Sequence, residues 1–278
     1  MPRRRQALSE FATVKSSPWN LNAHTGVLAL LGFENTMCTN RESSLKPWSF
    51  ALSVIASTCL LFVSAFAGPN VELPLDLMEQ GWEQITFDDK QPNRFASCGD
   101  GCVEVETDSS VSMIGKEFAI DLSKMPMLNW EWRIENRVVE SDLSVKGEDD
   151  RAVALYVTFP YDPDTASFSE NMMRPFVEIV RGTDAPGRML SYVWGGFGNP
   201  GDMIESPFFG AVNAMIICQN SRAPVGEWVY EKTNIIADHE RAFGSTPTKV
   251  AHILLAADSD DTGGKNRASV RKIMFRAK

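Results

Sequence analysis

The sequence has little positive charge and few cysteines, and each shortage excludes a class of protein. Lysine and arginine together number 27, against 36 aspartates and glutamates, which gives a formal net charge of −9. A chain with this excess of negative charge repels phosphate backbones, so we do not expect it to bind nucleic acid. Five cysteines in 278 residues are too few for a small disulfide-rich scaffold.

Histidine is scarcer still, with three residues in the chain, and only His239 and His252 lie in its C-terminal two thirds. A zinc enzyme needs about three protein ligands, and a hydrolase of the α/β type carries its serine in a G-x-S-x-G elbow, which is missing here. The Gly195–Gly198 run does not match the G-x-G-x-x-G dinucleotide loop. These absences exclude triad hydrolases, zinc enzymes and dinucleotide enzymes, and no organic cofactor is expected.

A signal peptide is predicted near the N-terminus. Residues 46–67 read KPWSFALSVIASTCLLFVSAFA, with a basic start, a short apolar run and Ala65-Phe66-Ala67 at the end. This order of features is typical of a secretory signal cleaved after an A-x-A site. We therefore predict cleavage after Ala67, a mature β-sandwich domain of residues 68–278, and a periplasmic or secreted location.

The length of this leader raises a question about the start of translation. Signal peptides span roughly 15–30 residues, and counting from Met1 gives far more. We therefore interpret Met37 as the start, residues 37–67 as the signal peptide and residues 1–36 as a wrongly assigned N-terminal extension. The alternative is an uncleaved anchor, because the uncharged segment 47–71 is long enough to span a bilayer. In that case, this segment would be the only part of the protein in contact with a membrane.

The remaining cysteines predict one local crosslink. Cys98 and Cys102 flank a Gly-Asp-Gly turn, which can bring two Cα atoms within disulfide distance. We expect a disulfide here; reduced thiols and a metal site are the alternatives. Cys218 ends an apolar run and is expected to be a buried free thiol.

The mature chain alternates as a β protein does. Leu128, Trp130, Trp132 and Ile134 share one face of a strand whose other face is polar. About eleven such runs predict an all-β fold, a single antiparallel β-sandwich. They include 82–87, 103–107, 111–121, 128–135, 152–159, 176–181, 190–194, 212–218, 228–236, 250–256 and 270–275. One short helix is predicted at 238–243, with Asp238 as N-cap and Gly244 as its stop.

Several blocks of sequence resemble a known bacterial family, DUF3047. They are PMLNWEWR at 126–133, KGEDDRAVALYVTF at 146–159, LSYVWGG at 190–196, WVYEKTNIIADHERAFG at 228–244 and ILLAADSDDT at 253–262. The resemblance implies an exported β-sandwich similar to carbohydrate-binding jelly rolls. Such a likeness concerns the fold and does not assign an activity.

Acidic residues cluster at the ends of two predicted strands. Asp149 and Asp150 precede one strand, and Asp258, Asp260 and Asp261 follow another. If these strands are antiparallel neighbours, the five carboxylates meet and form a candidate ligand-binding site. Asp258, Asp260 and Asp261 are candidate calcium ligands, because calcium is bound by several oxygens. The plain alternative is that the aspartates form turns at the strand ends.

Aromatic residues offer a second candidate site. Tyr192 and Trp194 share a face and precede a glycine run, which allows close approach of a ligand. They are candidates for a sugar-stacking platform, and core packing is the alternative. Trp130 and Trp132 are expected in the core.

Three functional hypotheses follow. The first is an exported, non-catalytic β-sandwich that binds a glycan or another component of the cell envelope. The alternative is an exported glycoside hydrolase or polysaccharide lyase, which would need a pair of carboxyl groups such as Asp150 and Asp261 across a cleft. A purely structural envelope protein is the third.

Overall fold

The computed structural model describes residues 72–278, except residues 100, 138, 182–184 and 209. The predicted extension 1–36 and signal peptide 37–67 lie outside the described residues. The helices are α1 (Leu75–Glu79), α2 (Phe168–Arg181) and α3 (Ile235–Phe243). The strands are β1 (Glu83–Ile85), β2 (Arg94–Ser97), β3 (Val103–Asp108), β4 (Val111–Asp121), β5 (Met127–Ile134), β6 (Arg151–Thr158), β7 (Met189–Trp194), β8 (Met203–Glu205), β9 (Asn213–Gln219), β10 (Val229–Asn234), β11 (Lys249–Asp258) and β12 (Lys265–Arg276).

The strands form two sheets. The larger sheet has seven strands in the order β1-β4-β11-β6-β7-β9-β8, and the smaller has five in the order β10-β5-β12-β3-β2. An apolar core with side chains from both sheets lies between them, which confirms the predicted β-sandwich. Within the described part of the chain, no helix is long and apolar enough to cross a membrane.

Aromatic side chains join the two sheets. Trp130 and Trp132 project from β5 in the smaller sheet, and Tyr192 and Trp194 project from β7 in the larger one. Ring centroids lie 5.2 Å apart for Trp130 and Tyr192 and 5.6 Å apart for Trp132 and Trp194. All four side chains are at most 1% exposed. Tilted and edge-on contacts of this kind add about 0.5–1.5 kcal/mol per pair beyond burial of area.

One predicted strand is wrong, because residues 176–181 belong to helix α2. The helix begins with a capping box in which Ser167 N donates to Glu170 Oε2 at 2.7 Å and Glu170 N donates to Ser167 Oγ at 3.3 Å. The S-x-x-E spacing at 167–170 is the sequence signal for such a cap. The apolar run at 176–181 was typical of a strand, but the capping box at 167–170 starts a helix that continues through these residues.

The predicted short helix is present but starts earlier. Asn234, not Asp238, is the N-cap, and its side chain accepts from the backbone N–H groups of Ile236 and Ala237. Gly244 ends the helix with φ 66°, as expected for a left-handed C-terminal residue. The sandwich is also not purely antiparallel, since β7 and β9 pair in parallel.

The predicted disulfide between Cys98 and Cys102 is confirmed, with Cα atoms 5.0 Å apart. Cys218 is a free, partly buried thiol.

We predict that replacing both Cys98 and Cys102 by serine lowers the free energy of unfolding by about 1–2 kcal/mol, because a bridge across so short a loop removes little chain entropy. Urea unfolding of a chain beginning at Gly68 measures the loss. Thiol labelling of that chain, denatured without reductant, should count one free thiol, that of Cys218. Three labelled thiols would contradict the bridge.

Candidate functional site

The acidic strand ends lie together because β6 and β11 are antiparallel neighbours. Asp258, the last residue of β11, is paired with Arg151, the first residue of β6. The two predicted acidic segments therefore meet at one end of this strand pair. We call Asp149, Asp150, Asp258, Asp260 and Asp261 the strand-end acidic cluster.

A β-bulge turns Arg151 toward this cluster. Ala256 is paired with Ala154 and Asp258 with Arg151, so β6 has one more residue than β11 across this step. Regular alternation would place Arg151 on the same face as Val153, which lies in the core between the sheets. The extra residue moves the arginine to the opposite face, and bulges commonly re-aim side chains in this way.

The guanidinium of Arg151 is buried between two carboxylates. Its Nη1 lies 3.1 Å from Asp149 Oδ2 and its Nη2 lies 3.2 Å from Asp258 Oδ2. Its Nε donates to the Tyr156 hydroxyl at 3.2 Å, and Nη1 also donates to the Asp149 carbonyl at 2.7 Å. The arginine thus fixes the positions of both carboxylates.

Asp150 organises the loop after β11. Its Oδ2 accepts from the backbone N–H of Thr262 at 2.8 Å and from the Thr262 hydroxyl at 2.5 Å, and its Oδ1 accepts from Asp261 N at 3.3 Å. Asp260 forms an ion pair with Lys90. The turn-forming role expected of the aspartates is therefore real for Asp150, which is 5% exposed.

The carboxyl groups perturb one another. Burial is the main cause that raises the pKa of Asp258 to about 7; the charge of Arg151 opposes this rise, and the neighbouring carboxylates Asp150 and Asp149 contribute to it. Burial, followed by the charges of Asp150 and Asp149, also raises the pKa of Asp261. Crowded like charges that favour a protonated form are common at functional sites.

Three members of the cluster are placed to share a metal ion. Asp150, Asp258 and Asp260 each offer a carboxylate oxygen, and these oxygens lie within 4.8 Å of one another. This set differs from the expected calcium ligands, because Asp150 takes the place of Asp261. A small cavity of about 40 Å³ borders Asp150, Arg151 and Asp258.

Tyr192 and Trp194 do not join this site, and the expected aromatic platform is wrong for both. They are 1% and 0% exposed and pack against the tryptophans of β5. The Tyr192 hydroxyl donates to Asp238 Oδ2 at 2.9 Å. Since alternation along β7 sends both rings into the core, neither can stack on a sugar.

A cleft that the sequence did not predict lies at the opposite end of the β6–β11 pair. It has a volume of about 370 Å³ and is bordered by the β6–α2 loop, the start of β7 and the α3–β11 loop. We call it the Glu170–Arg188 cleft after the ion pair in its wall. Its lining includes Phe159, Tyr161, Asp162, His239, Thr246, Thr248 and Lys249.

The ion pair in this cleft is almost fully hydrogen-bonded. Arg188 Nε donates to Glu170 Oε1 and Nη2 donates to Glu170 Oε2, both at 2.9 Å. The same guanidinium donates to the Ser245 hydroxyl at 2.7 Å and to the Thr165 carbonyl at 2.8 Å. Two-point pairing holds the side chains in one plane.

Protonation in the cleft is fixed by these contacts. Burial raises the pKa of Glu170, but hydrogen bonds from Arg188 and Ser167 outweigh it, so its pKa lies below the ordinary value. Burial, aided by the charge of Arg188, lowers the pKa of His239. His239 Nδ1 lies 2.7 Å from the Ser245 carbonyl, which can only accept, so this nitrogen carries the proton.

Two signals in the sequence mark this cleft in hindsight. The capping box at 167–170 positions Glu170. Gly187 allows the chain before β7 to approach the β6–α2 loop, since a Cβ there would lie 2.7 Å from the Tyr161 Cα. Neither signal identifies a ligand site without the fold.

The family profile described as DUF3047, a protein of unknown function, matches residues 80–274. This match covers most of the chain, and the chain therefore belongs to that family. No curated protein matches it.

Three solved structures with similar folds have low sequence identity to this chain. The xyloglucanase domain of NopAA, a type three effector from Sinorhizobium fredii in complex with cellobiose, is 10% identical with a TM-score of 0.41, over 72% of this chain and 95% of that one. The family 11 carbohydrate-binding module from Clostridium thermocellum is 8% identical with a TM-score of 0.36, over 71% and 89%. The endoglucanase cel12A from Rhodothermus marinus is 8% identical with a TM-score of 0.37, over 71% and 92%. At these TM-scores, the positions of ligands in those structures do not identify a site in this chain.

We predict that Arg151→Met lowers the free energy of unfolding by about 3–5 kcal/mol, because it leaves Asp149 and Asp258 buried without their cation. The control is Arg267→Met, which removes a half-exposed partner of Glu106 and should change the free energy of unfolding far less, because solvent screens an exposed ion pair. Urea unfolding at pH 7 measures both. Equal losses for the two variants would show that Arg151 does not hold the cluster together.

We predict that Glu170→Gln lowers the free energy of unfolding by about 2 kcal/mol at pH 7, because an ionic acceptor of Arg188 becomes neutral. The folded pKa of Glu170 is lowered, so its stabilisation is present above its unfolded pKa and is lost as the pH falls through its folded pKa. The difference between the two proteins should therefore shrink below about pH 4. A difference that stays constant from pH 7 to pH 3 would contradict an ionised Glu170.

Proposed function

We propose that this chain is an exported β-sandwich protein that binds a neutral glycan of the cell envelope in the Glu170–Arg188 cleft without cleaving it. The observation that carries this proposal is the lining of the cleft. It combines flat ring surfaces with hydrogen-bonding groups held in fixed positions, and its volume falls in the range typical of ligand sites.

Sugar hydroxyls need both donors and acceptors, and sugar rings offer an apolar face. Tyr161 supplies a ring supported by Arg174, whose guanidinium carbon lies 4.4 Å from the ring centroid. Thr246, Thr248 and Lys249 are exposed at the mouth of the cleft and are free to meet a ligand. Rigid aromatic surfaces with nearby polar groups suit ligands that are apolar on one side and polar on the other.

The charge of the cleft favours a neutral ligand. Glu170 and Arg188 neutralise each other, and the lowered pKa of His239 keeps that ring neutral near pH 7. The remaining charges in the lining are those of Asp162 and Lys249, which have opposite signs. The overall net charge of −9 further disfavours polyanionic glycans.

The same contacts argue for binding over hydrolysis. A glycosidase needs one protonated carboxyl group as general acid, whereas Arg188 keeps Glu170 ionised. Asp162 accepts from Asp164 N and the Thr165 hydroxyl within its own turn. Asp258 has a pKa suited to a general acid, but its cavity of about 40 Å³ has room for a water or an ion, not for a sugar.

Export is supported by the Cys98–Cys102 bridge, since disulfides persist in oxidising compartments and are rare in the cytosol. We therefore place the protein in the periplasm or outside the cell, a location that also agrees with the predicted signal peptide.

We predict that the purified protein binds a subset of neutral oligosaccharides on a glycan array, and that Tyr161→Ala weakens the binding at least about tenfold, because the ring loses its contact with the sugar face. Isothermal titration with the best array hit measures the affinity. The control is Tyr230→Ala, which removes an exposed tyrosine from the other sheet and should leave the affinity unchanged.

Two results would contradict the proposal. One is equal affinity in the Tyr161→Ala variant and the parent protein. The other is release of new reducing ends from the bound oligosaccharide, which would favour the hydrolase alternative; loss of that release in Asp258→Asn would then assign it to the strand-end acidic cluster.

A further inference from the structure

We propose that the strand-end acidic cluster binds one calcium ion through Asp150, Asp258 and Asp260. The oxygens that these residues offer lie within 4.8 Å of one another. Calcium–oxygen distances are 2.3–2.6 Å, so two ligands of one ion lie at most about 5 Å apart. The three oxygens therefore fit on a single coordination sphere without rearrangement of the backbone.

A second, independent observation points to a missing partner in this place. The side chain of Asp258 is 9% exposed, and its Oδ2 is engaged by Arg151. Among the described residues, none donates a hydrogen bond to its Oδ1. Asp149 Oδ1 is likewise buried and receives no hydrogen bond from a described residue. A buried carboxylate oxygen without a donor is costly, and an ion supplies the interaction that such an oxygen lacks.

The charges around the cluster also leave a deficit of cations. Five carboxyl groups surround two cationic side chains, those of Arg151 and Lys90. Arg151 is fixed in the structure, but Lys90 is 45% exposed and reaches Asp260 from the loop after β1. The Lys90 ammonium therefore acts as an internal substitute for the ion, and calcium displaces it from Asp260.

The donor set selects the kind of metal. Every ligand is a carboxylate oxygen, and neither histidine nor cysteine contributes to the group, which disfavours zinc and copper. Three carboxylates of differing strand and loop origin suit the flexible geometry of calcium better than the strict octahedron of magnesium. Competition from Lys90 places the expected dissociation constant near the 10⁻⁴–10⁻³ M typical of extracellular calcium modules.

The test is a titration of the purified, chelator-treated protein with calcium chloride by calorimetry, with thermal unfolding as a second readout. We expect one site, and a rise in Tm of about 4 °C at ten times the dissociation constant. Asp260→Asn should weaken binding at least tenfold. Lys90→Met should tighten it about tenfold, because the competing ammonium is gone. The matched control is Asp121→Asn, at the far end of the β4–β11 pair, which should leave the calcium affinity unchanged.

The Lys90→Met variant keeps the test decisive if Asp260→Asn folds poorly, since a gain in affinity cannot result from misfolding. The proposal is overturned if the parent protein shows neither heat nor a Tm shift up to 10 mM calcium. It is also overturned if calcium binds but both Asp260→Asn and Lys90→Met keep the parent affinity. The titration contains no glycan, so its outcome is independent of ligand binding in the Glu170–Arg188 cleft.

Discussion

The antiparallel pairing of β6 with β11 determines where every candidate ligand group lies. At one end of the pair, Asp258 faces Arg151 and draws the flanking aspartates together. At the other end, the same two strands lead into the loops that enclose the Glu170–Arg188 cleft. A slip of this register by one residue would move Asp258 to the core face and leave Arg151 without its partner. The hydrogen-bonded ladder is thus the element on which both sites depend.

Two buried arginines give the ends of this ladder opposite electrostatic characters. Arg188 is matched by one carboxylate and by neutral acceptors, so its end is close to neutral. Arg151 is shared by two carboxylates with three more nearby, so its end keeps an excess of negative charge. A neutral, roomy cleft suits an uncharged organic ligand, whereas a crowded anionic corner suits a small cation. This difference in local charge follows from the number of carboxylates near each guanidinium, because a buried arginine stays charged at both ends of the strand pair.

The sequence predicted the two-sheet fold, the disulfide and the meeting of the acidic strand ends, because each depends on a local pattern or on simple strand geometry. Alternation along β5 identified Trp130 and Trp132 as core residues. The same reasoning left Tyr192 and Trp194 open, since a strand pattern does not say which of its faces meets the other sheet. The bulge at Arg151 could not be predicted, because it is visible only as a mismatch between two paired strands. The Glu170–Arg188 cleft joins residues from three separate loops, and no local pattern connects them.

The order of strands in the two sheets has a consequence for biosynthesis. β11 lies between β4 and β6, and β12 lies between β5 and β3, so each of the last two strands occupies an interior position of its sheet. Until both strands are available, neither sheet can close, and the earlier strands present unpaired edges. Contacts between segments so far apart in the chain form slowly. Neither sheet can therefore be completed before residues 249–276 are available, so the sandwich core closes only when nearly all of the described chain is present.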